Sequence, residues 1–157
     1  MLPHLPRTLL ALDGPSLPAS SLPHLPPSVT SLRFFCRSPS SEVVLPCGET
    51  LRSLELYATL PLQHWLPPLP SLTHLTISGQ GIALTLEPHH VRTLPIIRRL
   101  SLSDLRSCIR DTAVMALPAD TLLWLNTREI ELSGAVLPPS CTHFNDSALI
   151  SHWRAAF

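Results

Sequence analysis

The side chains with chemistry to offer in this chain are eight histidines, four cysteines and eleven basic residues, all of them arginine. Their spacing decides what that chemistry is. His89 and His90 are neighbours, so on a regular helix or strand their rings point apart rather than toward one metal ion. Cys141-Thr142-His143 lacks the second ligand pair that a structural zinc site needs. No G-x-x-x-x-G-K-[ST], G-x-S-x-G, H-E-x-x-H or C-x-x-C occurs, and no serine has a recognisable base and orienting carboxylate nearby. No catalytic residue, cofactor or metal is therefore expected, and the chain is not read as an enzyme. What remains is recognition chemistry, because exposed aromatics beside arginines are the composition of interface hot spots. The candidate partner-binding residues are Arg33, Phe35, Arg52, Glu55, Tyr57, His74, Arg98 and Arg99.

These residues sit at corresponding places in a phrase that keeps returning: a Leu-Pro step, a few polar residues, then L-x-x-L-x-L. Its clearest copies are Leu51-Arg52-Ser53-Leu54-Glu55-Leu56 and Leu72-Thr73-His74-Leu75-Thr76-Ile77. Looser copies begin at Val29, Ile97 and Thr127, and a degenerate one begins at Leu9. The first positions, 9, 29, 51, 72, 97 and 127, are 20, 22, 21, 25 and 30 residues apart, a period that marks a stacked repeat. On a strand, L-x-L turns both apolar residues to one face and the residue between them to the other. One such unit cannot bury its apolar face alone, so neighbours must stack and pair strand to strand. The spacing predicts parallel strands near 31–34, 53–56, 74–77, 99–102 and 129–132. It places Phe35 beside Tyr57, near Arg33, Arg52 and Glu55, with His74, Arg98 and Arg99 following on the same face.

The phrase resembles that of the leucine-rich-repeat family over most of residues 5–153. The resemblance implies an α/β fold: a curved solenoid with parallel strands on its concave face, formed by residues 1–157 as a single domain of about six repeats. Where the family carries a ladder Asn or Cys, this chain has Leu17, Arg37, Thr59, Gln80, Leu105 and Ala135, so less regular convex loops are expected. The connectors of the first half are Pro-rich, as in Leu60-Pro61-Leu62-Gln63-His64-Trp65-Leu66-Pro67-Pro68-Leu69-Pro70, and are expected to be extended or turn-like. A disordered Pro-rich linker or SH3-type ligand is the competing reading, and the interleaved leucines oppose it.

The second half differs. Cys108 and Cys141 each precede an Asp, Asp111 and Asp146, suited to cap a short helix, so helices are expected at 111–117 and 146–153. The order Cys, Asp, x, Ala is similar to the cysteine-containing repeats behind F-box domains, which implies substrate recognition for a cullin-type ubiquitin ligase. In that setting the two cysteines are small buried apolar groups. The first phrase begins almost at Met1, leaving no room for a preceding F-box, so the chain reads as a fragment of a longer array or as a short form lacking the adaptor-binding domain.

With 157 residues, a formal net charge of zero and 45% hydrophobic residues, one core-forming domain is expected, with no general pull toward nucleic acid or anionic membrane. No apolar run approaches the ~20 residues of a membrane span, and prolines interrupt the N-terminus where a signal peptide needs an unbroken apolar stretch. A cytoplasmic or nuclear setting with reduced thiols is therefore expected, a Cys36–Cys47 disulfide being the alternative. The absence of lysine reads as coding bias toward arginine or, more sharply, as avoidance of ubiquitin attachment. The functional expectation is a module that binds a protein partner on its concave face, with a small-molecule ligand not expected. The alternatives are an inhibitor-type or scaffold repeat protein, or an enzyme with an unrecognised site.

Overall fold

The computed structural model describes residues 6–14, 19–36, 45–58, 67–79, 85–103, 108–109, 113–114, 116–127, 137–144 and 147–148. Each repeat is built from its Leu-Pro step upward. Proline's fixed φ suits the second position of a tight turn, and Gly48, Leu72 and Ile97 donate their N–H groups to the carbonyls of Leu45, Leu69 and Leu94 at 2.9, 3.1 and 3.3 Å. Where two prolines follow the leucine the turn moves on by one residue, so Val29 donates to Pro26 and Cys141 to Pro138. The leucines of these steps (Leu25, Leu45, Leu69, Leu94 and Leu117) are buried, which pins each turn to the core.

Each turn feeds a short strand. With three more from connectors and the final return, the strands in chain order are β1 (Ala11–Gly14), β2 (Ser31–Cys36), β3 (Ser53–Ala58), β4 (His74–Ser78), β5 (Thr85–Leu86), β6 (Arg99–Ser103), β7 (Cys108–Ile109), β8 (Trp124–Thr127), β9 (His143–Phe144) and β10 (Ser147–Ala148). The main sheet runs β1-β2-β3-β4-β6-β8-β9-β10, parallel throughout except for β10, which returns antiparallel to β9. β5 and β7, from successive connectors, form a second, two-stranded parallel sheet. The result is a parallel β-solenoid with little helix. Among the described residues no helix is long and apolar enough to cross a membrane.

The register keeps like positions in columns. Leu12, Leu32, Leu54, Leu75, Leu100, Leu125 and Phe144 are successive partners across seven strands. Val29, Leu51, Leu72, Ile97, Leu122 and Cys141, one per repeat, are buried beside them. Two hydrogen-bond ladders hold this stack. The carbonyl following each first position accepts two successive N–H groups of the next repeat: Leu10 from Thr30 and Ser31, Thr30 from Arg52 and Ser53, Arg52 from Thr73 and His74, Thr73 from Arg98 and Arg99, Arg98 from Leu123 and Trp124, and Leu123 from Thr142 and His143. A hydroxyl just before the phrase also reaches back to the previous repeat. Ser28 donates to Leu9 O, Thr50 to Val29 O, Thr121 to Ile97 O and Ser140 to Leu122 O at 2.6–3.1 Å.

Several expectations need correction. In the main sheet the strand after β6 is β8 at 124–127, not 129–132, and residues 129–132 lie outside the described ones. Its phase is set by Leu117-Pro118 and Thr121, so Leu122 is the first position of that repeat and Cys141 that of the next. For the same reason Cys141 leads into β9 rather than into a loop before a helix, and Ser147–Ala148, expected to be helical, pair antiparallel with β9. At the other expected helix, Ala113 and Val114 are helical, while Cys108 lies in β7. The first Pro-rich connector, expected to be non-helical, contains a 3-10 turn at Ala19–His24. Pro23 removes one N–H from that turn, and the turn sinks Leu22 fully into the core. An unforeseen helix, α1 (Pro88–Arg92), starts on a proline and is closed by reciprocal bonds between Glu87 and His90. The positions that lack the family's ladder Asn or Cys, and residues 60–66, lie outside the described ones.

Leu75 is fully buried in the central column. Leu75→Ala should cost ~2–5 kcal/mol by denaturant unfolding. Leu123→Ala, at a side chain 46% exposed, should stay within about 0.5 kcal/mol of wild type. Equal effects would contradict the register.

Candidate functional site: the outer face of the parallel sheet

Because Leu32, Phe34, Leu54, Leu56, Leu75, Ile77 and Leu100 point into the core, the residues alternating with them form the opposite, outer face. The eight candidate residues all lie on this face or at its entrance, and the structure sorts seven of them into two groups, with Arg52 between.

The first group spans β1 to β3. Arg33 Nη2 donates to Glu55 Oε1 at 3.0 Å and to the Tyr57 hydroxyl at 2.8 Å, while Arg33 Nη1 lies 3.5 Å from Asp13 Oδ2. Tyr57 in turn donates to Glu55 Oε1 at 2.5 Å. Phe35 stacks on Tyr57 with centroids 4.6 Å apart and planes 19° from parallel, and the Arg33 guanidinium stands 5.5 Å from the Tyr57 ring. The Tyr57 hydrogen bond, followed by the Glu55 charge, raises the Arg33 pKa above its ordinary value. The expected meeting of Phe35 with Tyr57 near Arg33 and Glu55 thus holds in the geometry. Its polar groups largely satisfy one another.

The second group spans β4 to β9. Partnering across the strands brings His74, Arg99, Trp124 and His143 into one row. The Arg99 guanidinium lies over the Trp124 ring, 3.2 Å from its centroid. Together with Arg98 and Leu123, these four line an open groove of about 490 Å³. Among the described residues Arg52, Arg98 and Arg99 form no ion pair. Leu123, Trp124 and His143 were absent from the candidate residues because that repeat was phased from Thr127. The Leu117-Pro118 step and Thr121 are the signal that finds them.

Both histidines of the row are held alike. His74 Nδ1 is 2.9 Å from Thr73 Oγ1, and His143 Nδ1 is 3.0 Å from Thr142 Oγ1. Each threonine hydroxyl donates its proton to the carbonyl of the preceding repeat, Thr73 to Arg52 O and Thr142 to Leu123 O. The oxygen can then only accept from the imidazole, so Nδ1 carries the hydrogen and a neutral ring has its lone pair at Nε2.

His89 and His90, expected to point apart, have ring centroids 3.9 Å apart. The His90 ring folds back so that Nδ1 accepts the Glu87 N–H at 3.1 Å, closing α1. Among the described residues no group of three or more His, Cys, Asp or Glu is arranged to hold a metal ion. Cys47 and Cys141 are buried thiols outside any disulfide, so Cys47 is not joined to Cys36. Cys141 Sγ donates to the His143 carbonyl at 3.3 Å.

Comparison of the chain with protein-family models, curated proteins and solved structures finds no match. The geometry of the outer face is therefore the basis for a functional reading.

Two measurements check these environments. Burial pushes the Cys47 thiol above its ordinary value of 9.0. The folded state therefore holds its proton more tightly, and the contribution is complete below pH 9.0 and lost as pH rises through the folded value. Wild type should lose stability above that pH more steeply than Cys47→Ala, and parallel slopes would contradict this environment. For the exposed Arg33 cluster, the melting-temperature difference between wild type and Arg33→Gln should shrink as sodium chloride is added. A salt-independent difference would show that packing rather than charge dominates there.

Proposed function

We propose that the chain is a protein-binding repeat module of the leucine-rich-repeat type, which holds its partner on the outer, strand-lined face. The observation that carries this reading is the second group of that face. Arg98 and Arg99 stand in an open groove without carboxylate partners among the described residues, beside an aromatic and an exposed leucine. Rigid strands present these side chains at fixed spacing, which lowers the ordering cost of binding. The Phe35–Tyr57 stack, with Phe35 41% exposed, supplies a neighbouring apolar patch. Arg52 lies between the two groups in sequence register and extends the cationic surface.

The proposal stops at protein binding. A place in a cullin-type ubiquitin ligase was implied by reading the Cys141 segment as loop and helix, whereas 143–144 and 147–148 are strands. Proximity labelling in cells should recover the same partners with wild type and with Arg92→Glu, an exposed change on the connector helix α1. Arg52→Glu with Arg99→Glu should lose them without lowering the melting temperature. Equal recovery by all three proteins would remove the outer face as the binding surface.

A further inference from the structure

We propose that the groove between β4 and β9 is a carboxylate-reading subsite that takes an extended acidic segment of a protein partner, with an apolar side chain next to the carboxylate. This rests on the protein-binding reading and names the chemistry the partner must carry.

Charge comes first. On the same sheet face Arg33 has Asp13, Glu55 and Tyr57 around it, whereas Arg98 and Arg99 have no ion-pair partner among the described residues. Two guanidinium groups sharing a groove repel each other, and an incoming carboxylate relieves that repulsion. Geometry then narrows the ligand. With one face of Arg99 on the Trp124 ring, its N–H donors remain free at the edge of the guanidinium plane. A guanidinium fixed in this way is oriented for bidentate pairing with a carboxylate and loses little rotamer freedom on binding.

The histidines favour a peptide over a nucleic acid. His74 and His143 stand at the two ends of the row, and each has its Nδ1 hydrogen committed to the adjacent threonine. In the neutral ring Nε2 is an acceptor, so the row reads acceptor, donor, aromatic, acceptor across four strands. A peptide offers both N–H donors and carboxylates to such a row, whereas the phosphates of a nucleic acid offer only acceptors. Two arginines are also few for tracking a phosphate backbone. Leu123 beside Trp124 gives an apolar neighbour to the carboxylate a place to pack.

Selection of short random displayed peptides on the full chain, followed by anisotropy titration of the enriched sequences, tests this. Enriched peptides should carry Asp or Glu beside an apolar residue. Arg99→Glu should weaken them by roughly tenfold or more, as loss of charge-assisted hydrogen bonds does. Arg99→Lys should weaken them less, and all variants should melt as wild type does. Enrichment of uncharged or basic peptides, or indifference to Arg99→Glu, overturns the subsite. If those peptides are instead lost in Arg52→Glu with Tyr57→Ala, protein binding on this face stands and only its location is wrong. No enrichment by wild type overturns the subsite as a reader of linear segments. Displacement of bound peptide by a single-stranded oligonucleotide of higher affinity overturns both readings.

Discussion

The structure depends on one repeated backbone contact. In each repeat a single carbonyl, from Leu10, Thr30, Arg52, Thr73, Arg98 or Leu123, accepts two successive N–H groups from the next repeat. An acceptor shared in this way fixes where the following strand begins, and a slip of one residue would turn the whole strand inside out. The buried columns of leucine make that register favourable, since each repeat covers the apolar face of its neighbour. The hydroxyls of Ser28, Thr50, Thr121 and Ser140 add a side-chain rung at the same step. They provide cross-repeat bonding at the entry to β2, β3, β8 and β9.

The same register builds the outer face. Residues that are 19–25 positions apart in sequence become neighbours across strands, as His74, Arg99, Trp124 and His143 do. The face divides according to charge. On β1 to β3 a cation meets two carboxylates and a phenol, and that network mainly organises the surface. On β4 to β9 Arg99 lies over an indole, in a row with two imidazoles that are tied to threonines, which leaves donors and acceptors facing outward. Identical backbone geometry thus carries a closed polar network at one end and an open one at the other.

Much of this was legible in the chain. The L-x-L pairs of 32–34, 54–56, 75–77 and 100–102 announce β2, β3, β4 and β6 because alternation alone determines which side is buried. The last repeats were harder to read. Ile130-Glu131-Leu132 imitates the phrase better than Leu125-Asn126-Thr127 does, and Cys141 takes a position that leucine usually holds. Leu117-Pro118 and Leu137-Pro138 mark the correct phase, since proline fixes the turn before each strand whatever apolar residue follows. At the site, Phe35 and Tyr57 could be paired from spacing. The Arg99–Trp124 stack could not, because it appears only once β8 is in register. The threonine-bound histidines were hidden for a further reason: their orientation depends on a carbonyl from the preceding repeat.

The central claim is the register that places Trp124 beside Arg99, and interstrand nuclear Overhauser effects measure it most directly. The account predicts that the amide protons of Leu123 and Trp124 both show contacts to Arg98 and Arg99 on the neighbouring strand, with Leu125 opposite Leu100. Contacts from Arg99 and Leu100 to residues 129–132 in place of these would contradict it, and would dismantle the groove along with the register.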